Sequence, residues 1–315
     1  MSFNLALDLK LGLRETVASE SGTTPLLDVY GADSWAAFSV RKLRTAYTGS
    51  CLRVRRSSDN AEQDIGFTGD GLLDVSTMET FVGANDGFIT TWYDHTENGR
   101  DAVQTITTEQ PQIVSNGTTY TDLNGLPRIY KPGVDVIVSP FPRLIIPSAP
   151  AQFADISIFA TFEGNPASTS FVLYSTNNAY LGFGQDGSAL TATSINISNR
   201  DYYVNGTSIG TDPTRDVLHT NYHSGSTVLA TEYGNLDLAY TTTYPMGYLV
   251  NTAFCGDEYL QEYVIYDASK TSDQGNIESN INSYYQIYPE PTILGDDSGQ
   301  LLEDNTGENL LDGPN

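Results

Sequence analysis

His219 and His223 stand four positions apart, an interval that brings two imidazoles to one face of a helix and equally to one face of a strand. Two imidazoles are only half of a zinc site. No Glu follows the first His and no Cys lies nearby, so a structural pair is expected, and no metal. Asp94-His95-Thr96-Glu97-Asn98-Gly99 is an oxygen-rich turn. It has donors for Ca2+ but not the regular ligand spacing, and an Asx-type turn closing two strands uses the same residues. Calcium at this turn is the one cofactor reading left open. Neither a Gly-x-Ser-x-Gly elbow nor a phosphate-binding loop occurs. Cys51 and Cys255 fit no zinc or redox motif; two buried thiols and a bridge across a core are both open. The 39 acidic residues guarantee accidental carboxylate neighbours, so a count of pairs says nothing about acid–base chemistry.

The elements that must position such groups read mostly as strands. Phe88–Tyr93, Ile156–Phe162, Phe171–Tyr174 and Leu260–Tyr266 are rich in β-branched and aromatic residues. Turn dipeptides punctuate the chain at Asp70-Gly71, Asp86-Gly87, Asn116-Gly117, Asn124-Gly125, Asp186-Gly187 and Asn205-Gly206. Many short strands with Gly-marked turns predict an all-β sandwich or jelly roll. Two short helices are predicted beside it. One runs from Ser34, with Ala36, Val40, Leu43 and Tyr47 spaced 4, 3, 4; the other carries Ile277, Ile281, Tyr284 and Tyr288 and stops at Pro289. Six of the 15 basic residues (Arg41, Lys42, Arg44, Arg53, Arg55, Arg56) crowd into one region, where internal salt bridges are expected.

The ends of the chain differ from its middle. Phe3, Leu5, Leu7, Leu9, Leu11 and Leu13 alternate with more polar residues, a period-two strand that reads as an assembly arm or as an edge strand of its own domain. Residues 271–315 hold nine acids and no base, and Ile293-Leu294, Leu301-Leu302 and Leu310-Leu311 recur in the tail. Three segments are therefore expected: an N-terminal strand or arm at 1–26, a β-sandwich at 27–289 and an acidic Leu-repeat tail at 290–315. The formal charge of −24 argues against nucleic acid and against anionic membrane surfaces. No stretch reaches the ~20 apolar residues of a membrane helix, and the N-terminus lacks a secretory signal pattern.

Three segments together resemble the opening of the arabinofuranosidase B catalytic domain: Leu27–Ala32, Ala37–Tyr47 and Leu52–Asp59. Trp92–Arg100 with Gln104 resembles that family's Tyr-Asp-Gln-Ser-Gly motif, and Leu260–Val264 with the helix through Ile281 resembles its last strand and helix. The resemblance spans roughly residues 27–288 and implies a concanavalin A-like, lectin-like β-sandwich (a jelly roll with one or two short helices) between extended terminal arms. The wording Arg55-Arg56-Ser57-Ser58-Asp59-Asn60-Ala61-Glu62-Gln63-Asp64 is similar to structural proteins of tailed bacteriophages that carry such a domain.

A retaining glycosidase needs two carboxyl groups about 5–5.5 Å apart. The resemblance sets Asn178 where the family's nucleophilic Glu stands and Asn251 where its acid/base Asp stands, and neither Asn can attack or donate a proton. No catalytic residue is therefore expected. A glycan-binding cleft remains, built from Asn177, Asn178, Tyr180, Tyr202, Tyr203, Tyr248 and Asn251, since sugars are held by aromatic faces and planar amides; cross-strand packing is the alternative for these tyrosines. The resulting expectation is a bacteriophage virion structural protein (capsid decoration, fibre or receptor-binding component) on the virion surface, made in the host cytoplasm. Its partners would be further copies of itself, a trimer among the options, other virion proteins and host glycans. The alternative is a secreted α-L-arabinofuranosidase-like glycoside hydrolase.

Overall fold

The computed structural model describes residues 24–133, 142–147, 153–168, 170–176, 180–192, 199–236, 243–245 and 257–289. The arm residues Phe3–Leu13, Cys255 and the tail from 290 lie outside these. In the first part of the chain the strands are β1 (Ser34–Ser39), β2 (Leu52–Arg56), β3 (Glu62–Ile65), β4 (Gly87–Trp92), β5 (Ala102–Val103), β6 (Gln112–Ser115), β7 (Thr118–Thr119) and β8 (Ile129–Lys131). The second part supplies β9 (Phe153–Gly164), β10 (Ser170–Thr176), β11 (Tyr180–Gln185), β12 (Asp201–Val204), β13 (Thr207–Thr211), β14 (Thr227–Leu236), β15 (Thr243–Pro245) and β16 (Glu258–Tyr266). Four helices accompany them: α1 (Leu26–Tyr30), α2 (Val75–Val82), α3 (Arg215–Tyr222) and α4 (Gln274–Tyr285).

Among the described residues thirteen strands join one antiparallel sheet, in the order β13-β12-β14-β9-β16-β8-β6-β4-β2-β3, with β1 on β16, β5 on β4 and β7 on β6. A second sheet has the order β11-β10-β15. The protein is an all-β sandwich of the jelly-roll kind with a few short helices. All four β-rich runs read from the sequence are strands: β4, β9, β10 and β16. Asn116-Gly117 and Asn205-Gly206 close hairpins with positive φ at both residues, the geometry that favours Asn-Gly.

The segment from Ser34 is a strand, not the helix that its 4-3-4 spacing predicts. Residues 35–39 are buried throughout, so both faces are apolar and the run carries no period of its own. Its apparent helical spacing joins strand residues to a loop. Trp35 and Phe38 are strand formers, and β1 pairs with β16 along Ala36–Ser39. α4 ends at Tyr285, three residues before the predicted stop, because Gln286 takes the left-handed conformation (φ 53) and donates its N–H to Asn282 O.

Four of the six clustered bases form ion pairs, while Arg55 bonds the neutral Gln110 and Asn60. Arg53 pairs with Asp64 and Arg56 with Asp59 near the surface. Arg41 pairs with Glu262 in the core at 2.7 Å. Arg41 Nε and Nη2 both donate to the Glu262 carboxylate, which also accepts from the Ser39 and Tyr285 hydroxyls. Burial opposes the guanidinium charge, yet Glu262 outweighs it and holds Arg41 above its ordinary pKa. Cys51 is a buried free thiol whose Sγ donates to Ser39 O at 3.1 Å. Burial pushes that thiol up.

The turn at Asp94 uses its carboxylate internally. Asp94 accepts from the backbone N–H groups of Ala37, Thr96 and Arg100 and from the Thr96 hydroxyl, an Asx-type turn. His95 beside it is fully buried between the rings of Tyr47 (4.7 Å) and Phe67 (5.4 Å).

Two outcomes follow. Arg41→Met should cost about 3–5 kcal/mol in urea denaturation, since Glu262 is left buried without its counter-charge, and adding Glu262→Leu should recover much of the loss. Burial, aided by Arg41 and Lys42, pushes His95 from 6.5 down to about 3. The folded protein then binds fewer protons than the unfolded chain between these values. Its contribution to stability is complete above pH 6.5 and declines as pH falls toward 3. The pH slope of unfolding free energy in that window should drop by roughly 1.4 kcal/mol per pH unit in His95→Phe relative to wild type.

Candidate functional site

Strands β8, β16 and β9 lie side by side, and their register sorts side chains onto two faces. Tyr259 opposes Tyr130 on one side and Glu163 on the other; Glu258 opposes Lys131 and Gly164. Because successive side chains alternate, Tyr130, Tyr259 and Glu163 share the outer face, while Lys131, Glu258 and Gly164 face inward.

The inner face holds a buried charge cluster. Lys131 Nζ lies 3.1 Å from Glu258 Oε2, and His223 Nε2 lies 3.8 Å from Glu258 Oε1. Burial alone would raise the Glu258 pKa, but Lys131 and His223 outweigh it and hold the carboxyl below its ordinary value. The His223 ring comes so close to β9 that a Cβ on residue 164 would stand 2.0 Å from it. Gly164 is therefore what admits the imidazole. His219 and His223 do share one side of α3, with rings 4.9 Å apart, as their spacing predicts. His219 Nε2 bonds Ser168 O at 2.7 Å. Among the described residues no group of three or more His, Cys, Asp or Glu is placed to hold a metal ion.

The outer face is aromatic and polar. Tyr130 and Tyr259 have ring centroids 4.9 Å apart, and Tyr120 packs against both. The Arg128 guanidinium lies 3.7 Å over the Tyr259 ring and pairs with Glu163 at 2.7 Å. Just past the end of this ladder opens a polar cleft of about 260 Å3, lined by Tyr130, Pro132, Gly133, Asn165, Ser168 and Asp257. Asp257 is fixed from several sides. Its carboxylate accepts from Asn165 Nδ2 at 3.1 Å and from Gly133 N at 3.3 Å, and its N–H donates to Ser168 Oγ at 3.0 Å. Burial, together with the hydrogen bond to Asp257, pushes the Tyr130 phenol above its ordinary pKa.

The residues singled out in the sequence are spread elsewhere. Tyr202 is wholly buried in β12, and its hydroxyl accepts from Gly182 N at 3.3 Å; a ring enclosed in this way has no face to offer a sugar. Tyr203 is half-buried and meets Tyr233 edge-on at 5.6 Å. Tyr180 opens β11 opposite Ser175. Asn177, Asn178, Tyr248 and Asn251 lie outside the described residues. Sequence reasoning missed Tyr130, Asn165, Ser168 and Asp257, which come from three separate stretches. The available signal was Asp257, an acid directly ahead of a clearly legible strand.

The family model described as alpha-L-arabinofuranosidase B, catalytic, matches residues 26–124. No curated protein matches the sequence significantly. Three solved structures are similar. A GH54 α-L-arabinofuranosidase soaked with a cyclic sulfate inhibitor matches with a TM-score of 0.53 and 17% identity, covering 82% of this chain and 65% of its own. A Glu-to-Gln mutant of a GH54 α-L-arabinofuranosidase soaked with 4-nitrophenyl α-L-arabinofuranoside matches with a TM-score of 0.53 and 15% identity, covering 89% and 69%. An arabinofuranosidase complexed with arabinofuranosyl-α-1,2-xylobiose gives 0.52, 15%, 82% and 65%. The chain thus spans about 65% of the length of the first of these structures.

These findings correct the expectation of a bacteriophage virion structural protein on a virion surface, and that of a non-catalytic domain. The matching family and all three structures are arabinofuranosidases, and none of them is a virion component. The resemblance read from the opening segments is upheld where the family model matches, and the likeness across 82–89% of the chain establishes the arabinofuranosidase type of β-sandwich as its fold.

Proposed function

We propose that the chain is a glycoside hydrolase of the α-L-arabinofuranosidase kind. The observation that carries this reading is the family match over residues 26–124. The similar structures add the fold, and two of them hold arabinofuranosides. Arabinose-bearing xylo-oligosaccharides are then the natural substrate class to try.

Hydrolysis of a glycosidic bond takes two carboxyl groups flanking the bond, one to protonate the leaving oxygen and one to attack the sugar or activate water. Asp257, which lines the cleft, is the one we assign. Glu163 opposes Tyr259, two residues beyond Asp257, on the same face of the sheet but outside the cleft's lining. Arg128 fixes Glu163, and Asn165 and Gly133 fix Asp257; this is the preorganisation a positioned acid or base needs.

Incubation with 4-nitrophenyl α-L-arabinofuranoside should release 4-nitrophenolate well above the buffer rate. Asp257→Asn should lower kcat by about 10²–10⁴-fold with an unchanged circular dichroism spectrum. No release by the wild-type protein overturns the hydrolase reading. Full turnover by Asp257→Asn would remove Asp257 from the chemistry and leave the activity to other groups.

A further inference from the structure

Asp257 stands just ahead of β16, where the ladder with β9 has ended. What holds it is the turn that leaves β9, Asn165-Pro166-Ala167-Ser168. Asn165 N donates to Asp257 O at 2.9 Å, and Asp257 N donates to Ser168 Oγ at 3.0 Å. Ser168 N closes the turn on Asn165 O, and Ala167 N closes it on Asn165 Oδ1, both at 2.9 Å. These bonds fix the shape of the turn. Its near end continues β9, but its far end, Ser168, has left the sheet and needs an anchor of its own.

α3 supplies that anchor. A carbonyl oxygen only accepts, so the 2.7 Å bond between His219 and Ser168 O is donated by His219 Nε2–H. One helical turn further on, the His223 ring lies against Gly164, at the other end of the same turn. Gly225, at φ 76, then brings the chain after α3 so near the Pro166 ring that a Cβ would stand 3.4 Å from it. Residues 219–225 thus track residues 164–168, and the four-residue spacing of the two imidazoles matches the two ends of the turn. The helix is itself firmly seated. Thr214 Oγ1 caps it by accepting from Val217 N, and Asp216 accepts from Gly187 N at 2.8 Å. Tyr222 meets Phe162 of β9 edge-on at 5.7 Å and donates to Tyr203 O at 3.2 Å. His219 is buried, so water competes little for its bond.

We propose that His219 is a positioning residue for Asp257: it fixes Ser168 O, and through Ser168 it fixes the Asp257 N–H and the place of the carboxylate. The consequence for turnover rests on the hydrolase reading, in which Asp257 acts on the substrate; the positioning does not.

Backbone amide exchange in the full chain, followed by NMR, tests the positioning without reference to activity. Asn and Gln are both polar, but only the longer Gln carries an N–H where imidazole Nε2 stands. His219→Asn should speed exchange of the Asp257 N–H about tenfold, as loss of one hydrogen bond does, and His219→Gln should restore most of the protection. Ser168→Ala removes the acceptor itself, and adding His219→Asn to it should speed exchange no further, because both act on one bond. The Val40 N–H, bonded to Gln261 O, should keep its wild-type rate. A merely structural role would instead move Val40 and Asp257 in step. On 4-nitrophenyl α-L-arabinofuranoside, His219→Asn should lower kcat about 10–100-fold with KM changed less than about twofold, and His219→Gln should recover it. Equal Asp257 exchange in the Asn and Gln variants overturns the proposal. Should His219→Asn fail to fold, the wild-type imidazole decides: a slowly exchanging Nε2–H supports the proposal, and a proton on Nδ1 alone overturns it. Exchange that follows residue 219 without wild-type turnover removes the hydrolase and leaves the positioning. Turnover with exchange indifferent to residue 219 does the reverse.

Discussion

The buried Glu262 carboxylate is the point on which the larger sheet turns. β16 pairs with β9 along one edge, but its other edge serves two partners, β8 over Glu258–Leu260 and β1 over Glu262–Tyr266. Where the partner changes, the register against β9 shifts between Leu260 and Glu262, as a β-bulge does. A bulge leaves backbone groups to be satisfied by other means. Here Gln261 O accepts from Val40 N at 3.0 Å, and the Gln261 amide reaches Asp122 at 2.8 Å. Glu262 then draws in Arg41 from the end of β1 and Tyr285 from α4. Three elements are bound to one carboxylate at the place where the ladder is weakest.

That junction also sets which residues of β16 look outward. A one-residue slip would exchange the two faces of the strand, turning Tyr259 into the core and Glu258 toward solvent. Burial of Glu258 is stable only because Lys131 and His223 meet it; an uncompensated carboxylate inside would be costly. The inner charge cluster therefore fixes the register that places Tyr130, Tyr259 and Glu163 on the outer face. Gly164 takes part by giving the His223 ring the space a side chain would fill.

Much of the fold was legible because its strands are rich in β-branched and aromatic residues and its hairpins carry Asn-Gly. β1 was misread because a strand buried on both faces has no alternation, and any helical spacing found in it is accidental. α2 and α3 escaped notice as eight-residue helices, too short to show a sustained period. The cleft was illegible for a different reason. Tyr130, Asn165, Ser168 and Asp257 converge through strand pairing, and none carries a local motif. Of the tyrosines chosen for their type, Tyr202 serves the core through Arg200, Glu232 and Gly182.

The distribution of likeness along the chain separates scaffold from site. The matched family segment, 26–124, contains β1 to β7 and ends before β8, the first strand to contribute to the cleft. It holds Arg41 and the Asx turn at Asp94, which anchor the sheet, but none of the side chains that line the cleft. Glu262, the partner of Arg41, lies in β16 together with Tyr259, so the two halves are tied by one strand. Fold and chemistry are separable in proteins, since function resides in sites carried on a framework. The cleft's lining thus lies in the part of the chain that the family model does not match, on strands that β16 ties to the matched part.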